Sequence, residues 1–272
     1  MPLAMGQIIF ITGTDTGVGK TVVTALLLWH LRQSGCDALA IKPFCSGSRA
    51  DGRLLRGLQD NLLTLDEISP FFFKKPVAPG ATLSKFHWLG GRASSVGETP
   101  TGATGTVALP KAANNQDENR RKTIRLDTVL RKIRDFSRRC DVLLVEGIGG
   151  LMVPLGKNYT VADLISRLHC PVLVVGRNRL GTINHTLLTV NALQVIGIER
   201  VRIVLVEEKK PDISAKSNPK TIQKMAPFAP VFLIPDLGFR ASSAGVIKIN
   251  VKYMKKTLAR ILGGGNLRAF FR

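Results

Sequence analysis

Short apolar runs alternate along this chain with longer segments whose apolar positions recur every three or four residues. Residues 8–11, Ile-Ile-Phe-Ile, form the first run and read as a buried strand. A polar, glycine-rich turn follows, and residues 22–32 then read as a helix that Gly35 stops. Apolar runs at 38–41, 141–145, 171–175, 201–206 and 231–234 predict further strands, the last closed by Pro235. Amphipathic segments at 54–65, 126–136 and 160–168, a segment ending at Leu193, and 247–262 predict helices. Asn218-Pro219 opens a short helix to Ala226, with proline at the first helical position. Between 74 and 79 two prolines mark a loop. From about 84 to 122 periodicity is lost in small and polar residues, which reads as a disordered insertion. Strand and helix in alternation predict an α/β fold, with about six mostly parallel strands doubly wound by helices on both faces. The 272 residues are expected to form one domain carrying that insertion.

Composition narrows the class. At 44% hydrophobic the chain has enough apolar residues for a full core. No apolar run reaches the roughly 18 residues of a membrane span, and no basic segment precedes the first strand. The expectation is a cytoplasmic protein with no membrane partner. Cys36, Cys45, Cys140 and Cys170 form no CxxC pair, and no histidine pair has zinc spacing, so reduced thiols are expected. The formal net charge of +20 predicts non-specific attraction to polyanions. The lysines and arginines are scattered, however, without a nucleic-acid-binding signature or interleaved aromatics, and a solvated basic surface is the favoured reading.

Chemistry enters at the turn after the first strand. Gly13-Thr14-Asp15-Thr16-Gly17-Val18-Gly19-Lys20-Thr21 is a phosphate-loop pattern in its required strand–turn–helix setting. Glycines let backbone N–H groups converge on one anion, and the helix N-terminus adds partial positive charge. Lys20 is expected to reach the β- and γ-phosphates and the Thr21 hydroxyl to bind Mg²⁺. The loop is one residue longer than usual, with five residues between Gly13 and Gly19. Lys42 follows the second strand, at the edge where open α/β sheets place ligands. Glu146 follows the strand at 141–145, and an acid there beside a phosphate loop suits Mg²⁺. Asp51 is a further candidate, with Asp60 and Asp66 as rivals.

These segments resemble dethiobiotin synthetase. The resemblance rests on the longer loop, Lys42-Pro43-Phe44-Cys45-Ser46-Gly47, Lys75-Pro76-Val77-Ala78-Pro79, Val145-Glu146-Gly147-Ile148-Gly149-Gly150-Leu151, Leu180-Gly181-Thr182-Ile183-Asn184-His185 and Ser217-Asn218-Pro219. It covers roughly residues 6–83 and 123–237. It implies closure of the ureido ring of dethiobiotin from 7,8-diaminononanoate, CO₂ (or bicarbonate) and ATP, through a carbamate and a carbamic-phosphoric anhydride. By the same resemblance Lys42 is the catalytic residue. Nucleotide falls to Gly13, Asp15, Gly17, Val18, Gly19, Lys20, Thr21, Val22, Asp51, Glu146, Gly147, Ile148, Gly149, Val206, Glu207 and Pro235. Substrate falls to Thr16, Ser46, Thr182 and Asn184, and Mg²⁺ to Thr21, Asp51 and Glu146. The helix opened by Gly181-Thr182 would receive the substrate carboxylate across a C2 homodimer interface. Three features depart from the pattern. Val206 stands where an asparagine often reads adenine, Gly80 where a histidine is frequent, and the stretch 84–122 has no counterpart.

Two rival readings stand beside this one. A partition-type ATPase associated with DNA would account for the +20 charge, but such proteins carry a lysine early in the loop where Asp15 stands. A degenerate nucleotide-binding paralogue would account for Val206 and the insertion.

Overall fold

The computed structural model of the chain describes residues 6–82, 124–238 and 241–264. The expected insertion at about 84–122 lies outside the described residues, apart from its flanks. In chain order the strands are β1 (Gln7–Gly13), β2 (Ala38–Ile41), β3 (Phe44–Ser46), β4 (Phe71–Phe73), β5 (Val142–Gly150), β6 (Val172–Arg177), β7 (Val201–Val206) and β8 (Val231–Ile234). The helices are α1 (Lys20–Gln33), α2 (Ala50–Leu58), α3 (Leu65–Ile68), α4 (Leu126–Ser137), α5 (Val161–Leu168), α6 (Thr182–Val195), α7 (Asn218–Met225) and α8 (Ala244–Ile261).

Six strands form one parallel sheet in the order β2-β5-β1-β6-β7-β8. The strands are apolar on both faces: Ile9, Phe10 and Ile11 of β1 and Leu143, Leu144 and Val145 of β5 are almost wholly buried, as a sheet covered on both sides requires. From β1 the chain steps towards β2, whereas α5, α6 and α7 carry it the opposite way along the sheet. With right-handed crossovers, α1 therefore covers one face and α5 to α7 the other. The site lies at the carboxyl edge, where β1 reverses the strand order.

Two elements lock this frame. Helix α1 is buried nearly all round, through Val23, Ala25, Leu26, Leu27, Leu28 and Leu31, because α8 packs over its outer side. Strand β2 is an edge strand of the large sheet, and the buried Gln59 side chain takes a missing neighbour's place. Its Oε1 accepts from Ala40 N at 3.0 Å and its Nε2 donates to Ala40 O at 3.1 Å.

Four expectations shift. The helix expected at 54–65 is instead α2 followed by the single turn α3. Between them Asp60 and Asn61 take left-handed φ values of 54° and 57°, and a Thr64–Glu67 capping box starts α3 afresh. Strands β3 and β4 form a separate parallel pair that the hydrophobic pattern did not predict. Glu146 lies inside β5 rather than at its end, paired with Ile11 of β1. The last helix begins three residues earlier than expected, capped by Ser243, whose hydroxyl accepts from Val246 N at 3.4 Å.

Candidate active site

The turn between β1 and α1 takes the shape of a phosphate cradle. Gly17 and Gly19 have φ of 74° and 102°, in the left-handed region that favours glycine. A Cβ on Gly13 would lie 2.8 Å from Lys20 Nζ, so that glycine is required for the lysine to fold beneath the loop. There Lys20 Nζ donates to Asp15 O at 2.8 Å. Gly19 caps α1 without a side chain, which leaves first-turn N–H groups for an anion. Burial lowers the Lys20 ammonium to about 8, against the pull of the Glu146 carboxylate, which raises it.

Opposite the loop, Lys42 leaves the end of β2 and meets two acids. Its Nζ donates to Glu146 Oε1 at 2.7 Å and also to Asp51 Oδ2. Burial alone would lower the Lys42 pKa, but the Glu146 and Asp51 carboxylates outweigh it and raise it well above the ordinary lysine value. Lys42 is thus a fixed cation rather than a base. Glu146 Oε1 also accepts from the Thr21 hydroxyl at 2.7 Å, while Glu146 Oε2 is buried without a hydrogen-bond partner. The arrangement is an oxygen-rich hole for a hard cation: one unsatisfied carboxylate oxygen, one hydroxyl, and Asp51 across from them. Among the described residues no three His, Cys, Asp or Glu side chains cluster to hold a metal by protein alone. A cation bound by one or two carboxylates and by substrate phosphates does not require such a cluster.

A cavity of about 370 Å³ opens between these groups. Its lining comes from the loop and the start of α1 (Thr16, Gly17, Gly19, Lys20, Thr21 and Val22), from the segment after β2 (Lys42, Ser46 and Asp51) and from β5 (Glu146, Ile148 and Gly149). A triphosphate-sized anion entering it meets Lys20 and Lys42 together.

Known proteins resemble this chain over most of its length. A family model described as an AAA domain matches residues 7–85 and 101–238. The ATP-dependent dethiobiotin synthetase BioD of Bacillus licheniformis is 37% identical over 221 residues, 79% of this chain and 80% of that protein. The one of Anaeromyxobacter sp. (strain K) is 37% identical over 247 residues, covering 88% and 96%. That of Bacillus subtilis (strain 168) is 32% identical over 253 residues, covering 91% and 92%. This chain belongs to the dethiobiotin synthetase family. Among solved structures, a ParA family ATPase from Chlorobium tepidum TLS superposes with a TM-score of 0.52 at 15% identity, covering 94% of this chain and 97% of that one. The MinD cell division protein of Aquifex aeolicus gives 0.52 at 15%, covering 95% and 98%. At that identity the two show a shared fold alone. Between residues 7 and 238 the family match leaves 86–100 unmatched, a narrower gap than the 84–122 read from texture.

In this dethiobiotin synthetase family member, some residues expected at the site stand off the cavity. Gly13, Asp15, Val18 and Gly147 do not line the cavity. Val206 does not line the cavity but packs behind the loop, its Cγ2 lying 3.1 Å from where a Cβ on Gly19 would be. Glu207 and Pro235 follow the carboxyl ends of β7 and β8, on the site's edge of the sheet but outside the cavity lining, with Glu207 N donating to Ile234 O at 2.8 Å. The Thr182 hydroxyl is buried against Thr186 Oγ1 at 3.4 Å, so it is not presented to a ligand, whereas Asn184 is exposed. Sequence reasoning passed over Arg177, Cys45, Ala241 and Ser242, all of which line the cavity. Arg177 carried the same signal as Lys42, a cation at the end of a buried strand. Burial raises the Cys45 thiol, which donates to Ser48 O at 2.9 Å and is no nucleophile.

Proposed function

We propose that this chain closes the ureido ring of dethiobiotin from 7,8-diaminononanoate, CO₂ and ATP, in the cytoplasm. The observation that carries the reading is that Lys20 and Lys42 line one cavity together with Glu146, whose Oε1 accepts from Lys42 Nζ at 2.7 Å. One substrate amine adds to CO₂ and loses a proton, giving a carbamate. A carbamate oxygen attacks the γ-phosphorus and ADP leaves, giving the mixed anhydride. The second amine attacks the carbonyl carbon, the ring closes and phosphate departs.

The residues suit those steps. Carbamate and γ-phosphate repel one another until cations neutralise them. Lys42, held protonated by Glu146 and Asp51, offers a compact charge between the two. Lys20 and the loop amides take the β- and γ-phosphates. Ser46 and Thr16, which both line the cavity, orient the diamine end of the substrate. Mg²⁺ would be held by Thr21, Asp51 and Glu146, and when bound it supplies charge neutralisation on the phosphates. Val206 leaves adenine without a side-chain hydrogen bond at that position, so ATP is held chiefly by its phosphates.

The working unit is a homodimer. Helix α6 exposes Leu188 and Val195, seven residues apart on one side, at 60% and 80%, and Leu180 just before it at 81%. The opening of that helix, with Asn184 exposed, would meet the substrate carboxylate of the partner subunit. We take the whole chain as one phosphate-loop domain with an insertion at about 84–122.

Isotope transfer tests the chemistry. With ¹⁸O-labelled bicarbonate, diaminononanoate, ATP and Mg²⁺, the released phosphate is expected to carry one labelled oxygen, because carbamate oxygen becomes phosphate oxygen. Unlabelled phosphate with ring closure intact would contradict the carbamate route. A second reading, DNA association, has no geometric support in the cavity.

A further inference from the structure

We infer that Arg177 is a phosphate-binding residue of this site, the cation that makes its cavity net positive. The inference rests on the nucleotide reading above. Arg177 ends β6 and lines the same cavity as Lys20 and Lys42. Its guanidinium reaches across to the loop, where Nε and Nη2 both donate to Gly17 O, at 3.3 and 3.1 Å.

Charge decides what this contact is for. Lys42 is matched by two carboxylates, Asp51 and Glu146. Lys20 cancels the surplus negative charge. Without Arg177 the empty cavity would be close to neutral, and a polyanion would gain little on entering it. No carboxylate among the described residues forms an ion pair with Arg177. Two of its five N–H groups hold Gly17 O, and three remain for another acceptor.

Gly17 O lies at the exposed tip of a loop one residue longer than usual. The guanidinium is already planar and fixed there by two bonds, so little side-chain freedom is lost when it meets a phosphate. A charge-assisted hydrogen bond from such a group changes affinity by about tenfold or more.

The test uses the full chain and two probes, ATP and inorganic triphosphate, with dissociation constants measured by calorimetry at fixed salt. Arg177→Ala and Arg177→Gln should each weaken both probes about tenfold, and Arg177→Lys, which keeps the charge but not the planar fork, should fall between them and the unaltered chain. The glutamine keeps a donor for Gly17 O without the charge, so it separates tethering of the loop from attraction of the anion. Wild-type affinity for triphosphate in Arg177→Gln or in Arg177→Ala would overturn the inference. Melting temperatures of the three variants should agree within about 2 °C, and a lysine variant no better than alanine would also count against it. If the unaltered chain bound neither probe, the nucleotide reading itself would fall. If it bound both without closing the ring, only the proposed reaction would.

Discussion

Lys20 and Lys42 differ in what surrounds them, and that difference sets their roles. Burial brings Lys20 down to about 8, while two carboxylates hold Lys42 far above its usual value. A bound triphosphate favours the charged form of Lys20, so nucleotide binding takes up a proton once the pH exceeds about 8. Affinity for ATP should therefore be flat below pH 7.5 and fall by about tenfold per pH unit above 8. A profile flat from pH 7 to pH 9.5 would show that Lys20 does not titrate there. Glu146→Gln preserves shape but removes the charge that Lys42 and a hard cation share. It should lower ring closure at least about a hundredfold, read as phosphate release, because one oxyanion-site contact alone is worth that much. Activity within threefold of wild type would remove Glu146 from the site. At this scale the meeting of Lys20, Thr21, Lys42, Asp51 and Glu146 in one cavity was legible, because the phosphate-loop pattern and the strand-end positions place them along one edge of the sheet. The inward turn of Arg177 and the burial of Thr182 were not, since neither spacing nor composition says which way a strand-end or helix-opening side chain points.

Among the elements, those with long apolar runs or strong helical periods were legible in the sequence. β1, β5, β6, β7, β8, α4 and α5 lie within a few residues of their expected places. β3 and β4 were hidden because three residues carry no period. The boundary of α2 moved because Asp60 and Asn61 tolerate the left-handed backbone, which local composition does not reveal. The Gln59 side chain on the edge of β2 is the device that tertiary structure alone discloses. Gln59→Ala leaves a buried donor and acceptor on Ala40 unpaired, a loss of about 2 kcal/mol. A thermal melt should then drop by roughly 4–8 °C. A change below 1 °C would mean that water replaces the amide without loss. Because β2 delivers Lys42, activity near 25 °C should fall as well.

On the scale of the whole molecule, the fold shared with ParA and MinD proteins positions the phosphate loop, and the dethiobiotin synthetase family supplies the chemistry built around it. The sheet order brings β2, β5, β1 and β6 side by side, and these four strands carry or adjoin Lys42, Glu146, the loop and Arg177. That adjacency is why residues as far apart in the chain as Thr16 and Arg177 meet in one cavity. The apolar stripe on α6 belongs to the same scale. Leu188→Glu combined with Val195→Lys should convert a dimer to a monomer in sedimentation, and a monomeric unaltered chain would contradict the proposed assembly. The +20 charge is not accounted for by the cavity, where Lys20, Lys42 and Arg177 meet Asp51 and Glu146.

The central claim is that two lysines act on one triphosphate, Lys20 holding it and Lys42 driving its reaction. The most direct measurement compares the unaltered chain with Lys42→Ala, following ATP affinity and diamine-dependent phosphate release on the same samples. The account predicts release lowered by about a thousandfold, with ATP affinity falling by no more than about tenfold, the loss expected from removing one cavity charge. Release close to wild type in Lys42→Ala, or release that requires neither diaminononanoate nor bicarbonate, would contradict it.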